Sequence, residues 1–341
     1  MAAGLTVAEL VDRGDLDDLL RRVDDLASAG DWAGVLELRD RSRAAFERGR
    51  QLWPAASHAE YRLALQAPGR WAAAVIGPGA GRFALGPLTE VAASTHTWDE
   101  LAPHLPLGLP EGALIAEERV IRGEDLRGDG RIDPMLVELP LSLQPWEPAY
   151  PLAAYQPYTA EFDDVPAPAM EVVDVAAVAG GAGAGAAVVG AAVVEDHDAT
   201  HALMEVVGPW TTQSNGRAAA VAVEGDALAA VGALPGVGGQ ARGSVRMAEV
   251  DAAQALAVLA WAGASGGAHG RRRGMAQGRF SAWWTAAALA GDLDGWPRVD
   301  IGGLRWYRWD RLEPSTGWVL RLAAERPSDG RAWAVEATDA R

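Results

Sequence analysis

The chain of 341 residues contains no cysteine, which removes disulfides, thiolate nucleophiles and thiolate metal ligands together. It contains no lysine either, so all 30 of its basic residues are arginine. A Schiff-base lysine, a P-loop lysine and a lysine general base are thereby excluded. Arginine is itself missing from Ile132 to Gly216, a stretch with 12 acidic residues, whereas Trp261 to Arg341 holds 12 arginines against 9 acids. The middle of the chain is acidic and its end mildly basic. With a formal net charge of −16, general nucleic-acid binding is not expected.

The first residues, MAAGLTVAELVDRGDLDD, lack the basic n-region and apolar core of a secretion signal, so a cytoplasmic protein is expected. One charge-free run, Val175 to Val194, is 20 residues long and includes a GxxxG at Gly181–Gly185. Only Ala, Gly and Val occur in it, and no arginine flanks it. Without Leu, Ile or Phe to drive insertion, no membrane span is expected.

What remains is 49% hydrophobic, enough for substantial cores. Between residue 5 and about residue 65, Leu and Val recur at helical spacing, interrupted at Gly14 and at Gly30-Asp31, which predicts two or three helices of ordinary length. Short helical stretches continue to about residue 123. From Glu124 the texture becomes rich in Pro, acid and aromatics, which forbids long helices and central strands. Trp146, Tyr150, Tyr155, Tyr158 and Phe162 would anchor this part over a surface, with LVEL at 136–139 a possible short strand. Beyond it, RAAAVAVE and LRWYRWD read as strands, 251–262 and 275–290 as helices, and WVLRLAAERPSDGRAWAVEATD as a hairpin turning at Ser328-Asp329-Gly330. In that hairpin Trp318, Leu320 and Leu322 would form the single core face. The expectation is an α+β chain: a helical domain at 1–123, an acidic Pro/Gly/Ala-rich connector at 124–195, and a mixed domain with an antiparallel sheet at 196–341.

Four patterns bear on chemistry. Gly263-Ala264-Ser265-Gly266-Gly267 matches the nucleophile elbow G-x-S-x-G, but the only histidine after Ser265 is His269 in the same loop. A serine hydrolase would need an upstream base such as His197 or His201. His197-Asp198-Ala199-Thr200-His201 resembles the zinc-protease helix H-E-x-x-H with Asp in place of Glu. Glu205 extends that face, so His197, His201 and Glu205 form a candidate metal set for a hydrolase. The alternative role for this stretch is a helix cap. Gly181 to Ala186 fits G-x-G-x-x-A but lies in low-complexity sequence. Finally, HGRRRGMAQGR at 269–279 puts His269, Arg271, Arg272, Arg273 and Arg279 in a Gly-rich loop ahead of a helix, a chemically sensible anion site. Trp283-Trp284 or Trp306 and Trp309 would offer stacking surfaces. The same arginines equally suit a clasp onto the acidic stretch 132–216. The functional expectation is a non-catalytic binding or interaction protein whose loop 266–279 meets an anionic small molecule, another protein, or the chain's own acidic segment. The sequence leaves the identity of any cofactor open.

Overall fold

A computed structural model of the chain describes residues 5–106, 108–175, 192–237, 243–313 and 316–340. The chain has an α+β fold, its helices mostly N-terminal and its antiparallel sheet C-terminal. Two compact units are present, one made of 1–143 with 152–162 and the other of 144–151 with 163–341. The stretch 124–195, expected as one connector, is therefore divided between them. Its candidate dinucleotide motif at 181–186 and most of the Ala/Gly/Val run lie outside the described residues.

The first unit begins with three helices separated where the sequence breaks. Helix α1 (Val7–Arg13) opens on a capping box between Thr6 and Glu9 and ends at Gly14, whose φ of 70° places it in the left-handed region that favours glycine. In α2 (Leu16–Ser28), Leu19, Val23 and Leu26 share one buried face. After Gly30 comes α3 (Trp32–Glu47), then α4 (Trp53–Gln66), α5 (Gly69–Ala73), α6 (Leu88–Thr95), α7 (Trp98–Leu101) and α8 (Pro110–Ile121). Helix α4 lies at the centre, packed by α2, α3 and α6. It buries Ala55, Ala59 and Leu63, and also Glu60, whose Oε2 accepts from Gly81 N at 2.7 Å while Arg43 pairs with its Oε1. A short hairpin, β1 (Ala153–Tyr155) with β2 (Ala160–Phe162), belongs to this unit, and the buried Tyr155 hydroxyl donates to Glu90 at 2.6 Å. Among the described residues the LVEL segment pairs with no strand; 134–136 is a single 3-10 turn capped by Asp133.

The second unit contains β3 (Glu171–Val175), β4 (Ala192–Val194), α9 (His197–Val206), α10 (Gly208–Thr212), β5 (Arg217–Glu224), α11 (Ala227–Ala233), β6 (Gly243–Val250), α12 (Ala252–Ala264), α13 (Met275–Ala290), β7 (Arg305–Arg311), β8 (Trp318–Arg326) and β9 (Arg331–Asp339). The strands form one sheet in the order β3-β6-β7-β8-β9-β5-β4, antiparallel at every step. The β8–β9 hairpin pairs Arg326 with Arg331 around the expected turn. Strand β3, from the Pro-rich stretch, takes an edge, where a strand needs only one partner.

The hairpin departs from expectation in having both of its faces largely buried. Leu320 and Leu322 are buried on one side, but Arg321 and Ala323 are buried on the other, where Ala323 packs against Ala227, Ala230 and Val231 of α11. Helices α12 and α13 cover the opposite side at β8. Their mutual approach is close: a Cβ on Gly278 of α13 would stand 2.2 Å from the Ala260 carbonyl oxygen of α12, and one on Gly263 2.9 Å from the Ser281 Cβ. Among the described residues no helix is long and apolar enough to cross a membrane.

Because backbone carbonyl cannot move aside as a side chain can, Gly278→Val is expected to cost at least about 2 kcal/mol, at the upper end for overpacking. Urea unfolding followed by tryptophan fluorescence measures this; an unchanged midpoint would show that α12 and α13 are not held this close.

Candidate functional site

The Gly/Arg loop begins where α12 ends. Asp251 caps α12 by accepting from Gln254 N at 2.7 Å, and the helix is buried almost all round. Ser265 follows its last turn. It is fully enclosed, and its hydroxyl accepts from the indole Nε1 of buried Trp210 at 2.8 Å and from Gly267 N at 3.3 Å. The loop is then tied at several points: Ala268 N donates to the buried Asp339 carboxylate at 2.6 Å, His269 N to Ser214 Oγ at 3.1 Å, and Arg273 N to the Ala264 carbonyl at 2.7 Å. Gly267 has a φ of 74°, and a Cβ there would meet Asp339 Oδ2 at 2.2 Å. Only glycine fits both constraints.

The five residues expected to share an anion site have different environments. His269 and Arg271 are exposed, and Arg272 and Arg273 half-buried. Burial lowers the Arg273 guanidinium from its ordinary value, an effect the charge of Glu205 partly reverses. Arg279 is completely enclosed and forms a two-pronged ion pair with Glu147, Nε to Oε2 at 2.7 Å and Nη2 to Oε1 at 2.9 Å. The same carboxylate accepts from Trp283 Nε1 at 3.0 Å, Tyr150 Oη at 2.6 Å and Gln144 N at 2.8 Å. Arg279 and Trp283 are four apart on α13 and so lie on one helix face, with the guanidinium 5.5 Å from the indole centre. Trp146 closes the other flank, its ring 4.7 Å from that of Trp283. Burial alone would raise the Glu147 carboxyl; the hydrogen bonds and charge of Arg279 overcome it and hold it below the ordinary value. Tyr150 is pushed well above an ordinary phenol by burial and by the Glu147 charge.

The histidine pair lies on the exposed face of α9. The rings of His197 and His201 stack at 5.7 Å, and His201 Nε2 is 3.8 Å from Glu205 Oε1. Among the described residues no group of three His, Asp or Glu is arranged to hold a metal ion. The preceding Asp196 caps α9 through Ala199 N at 3.3 Å, and its other oxygen accepts from Arg331 and Trp333.

One feature was missed at the level of motifs. A cleft of about 410 Å³ opens beside α12 and the ends of β7 and β8, lined by Val258, Trp261, Arg308, Trp309 and Arg321 among others. Arg308 donates through Nη1 to the carbonyls of Val165 at 3.1 Å and Pro166 at 2.9 Å. The signal was in the strand alternation of LRWYRWD: Arg308 falls on the same side as Trp306, which is buried.

A family model matches residues 17–341 of the chain. The chain belongs to DUF6183, a family of unknown function. The DUF6183 match takes in residues of both units. No curated protein and no solved structure matches the chain.

Glu147→Gln and Arg279→Ala should each destabilise by about 3–5 kcal/mol, because each leaves a buried charge without its partner. The pH dependence has a definite sign. A carboxyl held below its unfolded value of 4.5 contributes stability above about pH 4.5, and the contribution disappears as pH falls through the folded value. Thermal melts of wild type and Glu147→Gln between pH 7 and pH 3 should therefore converge on acidification. Parallel curves would contradict the depressed carboxyl.

Proposed function

We propose that the chain is a non-catalytic binding protein in which the Gly/Arg segment 266–279 is fastened to the chain's own acidic stretch. The observation that carries this reading is the enclosed Arg279–Glu147 pair: one of the five residues expected to share an anion site meets a carboxylate from the arginine-free stretch 132–216 instead. A bidentate guanidinium already committed to a carboxylate has no geometry left for a second anion.

Ser265 supports the same reading. A nucleophile needs exposure and a base within reach, whereas the Ser265 hydroxyl is enclosed and is an acceptor for an indole. The exposed positions of His197, His201 and Glu205, which form no three-ligand arrangement among the described residues, argue in the same direction. The partner class is another protein or an anionic small molecule.

The test is a panel of p-nitrophenyl esters and phosphate monoesters incubated with wild type, Ser265→Ala and His201→Ala. All three should stay at the buffer background. Hydrolysis that vanishes in either variant would establish an enzyme and overturn the reading. Ser265→Ala should in addition lower stability by about 1–3 kcal/mol, since it leaves the buried Trp210 N–H without its acceptor.

A further inference from the structure

The cleft beside α12 contains a charge that the protein does not neutralise. Arg308 is half-buried; among the described residues no carboxylate pairs with it, its Nη1 holds two carbonyls of the strap at 165–166, and its Nε and Nη2 find no acceptor. Burial dominates its environment and lowers the guanidinium from its ordinary value, with the charge of Asp310 only partly restoring it. The second arginine lining this cleft is differently placed: Arg321 bridges Asp310 and Glu336. A partly desolvated cation that no described carboxylate contacts directly is costly, and an anion entering the cleft would relieve that cost.

The walls indicate what the anion is attached to. Val258, Trp261, Val319 and Met170 supply apolar surface, and Trp261 is held rigidly by stacking on Trp318 at 5.1 Å and by the edge of Trp210 at 5.9 Å. Trp309 also lines the cleft, and its buried indole Nε1 meets no acceptor among the described residues. The volume, about 410 Å³, suits a small organic molecule. Asp164 is exposed at the rim and Asp310 is tied to Arg321, so the cleft has one unpaired positive charge set near negative ones. That balance favours a single negative charge over a dianion.

We propose that this cleft binds a small monocarboxylate with an apolar or aromatic body, the carboxylate on Nε and Nη2 of Arg308 and the body against Trp261 and Val258. The proposal names the ligand for the binding-protein reading and rests on it.

Isothermal titration and tryptophan fluorescence of the full chain with hexanoate, phenylacetate and naphthylacetate, each beside its neutral amide, provide the test. At least one acid is expected to saturate a single site with a dissociation constant near or below about 1 mM, with its amide at least about tenfold weaker. Arg308→Gln, which keeps an N–H for the strap carbonyls, should weaken the acid by at least about tenfold. Ala167→Trp, on the cleft lining, should block binding while Arg308 is intact, and Arg271→Ala should leave it unchanged. The proposal is overturned if no acid saturates, if acid and amide bind alike, if Arg308→Gln binds as wild type, or if inorganic phosphate displaces the acid at equal concentration. Failure of binding would leave the non-catalytic reading standing. Chemical conversion of a bound acid would do the reverse, preserving the site and removing that reading.

Discussion

The Glu147–Arg279 pair is the interaction on which the second unit depends. Both side chains are fully out of water, and mutual attraction repays their desolvation only when the remaining donors and acceptors are also satisfied. Here the carboxylate receives the guanidinium fork, an indole, a phenol and a backbone N–H. The consequence is structural: 144–151, a Pro-rich piece with no helix or strand of its own, is fixed against α13. Helix α13 in turn packs on α12 and α9, and the Gly/Arg loop is suspended between two helices that cannot shift independently.

The absence of lysine gives the rest of the unit its character. Across the sheet, Arg246 pairs with Asp310, Asp310 with Arg321, Arg321 with Glu336, and Glu336 with Arg311. These links connect residues of β6, β7, β8 and β9, and a planar guanidinium suits them because it can hold two partners in fixed directions. Such a network lets a charged residue occupy a covered sheet face, as Arg321 does. Against that background Arg308 differs in kind. Among the described residues it has carbonyl acceptors but no carboxylate partner, and it lines the cleft.

Much of the fold was legible because it follows from local rules. Gly14 and Gly30 both end helices in the left-handed region, α13 spans the expected 275–290, and Ser328-Asp329-Gly330 turns the β8–β9 hairpin. The missed elements are those whose existence depends on a distant partner. Val172 and Val173 become a strand because β6 presents an unpaired edge, while Leu136 to Leu139, of similar composition, finds none. The same limit applied to the site. Ser265 sits in a motif that describes a tight turn, and it does end a helix, but whether the hydroxyl faces solvent or Trp210 depends on residues more than fifty positions away.

By itself the sequence determined the α+β class, the run of helices followed by a hairpin-rich end, the chemistry excluded by missing cysteine and lysine, and the separation of acid from arginine along the chain. These are properties of composition and of spacing within a few residues, where 3.6-residue and 2-residue periodicities are decided. Only the tertiary structure decided which arginine became a clasp and which stayed uncompensated. Arg279 and Arg308 look alike in the sequence, each followed directly by an aromatic residue, Phe280 in one case and Trp309 in the other. One meets Glu147 in an enclosed space and the other opens into a cleft, because burial and counter-charge depend on elements brought together across the fold.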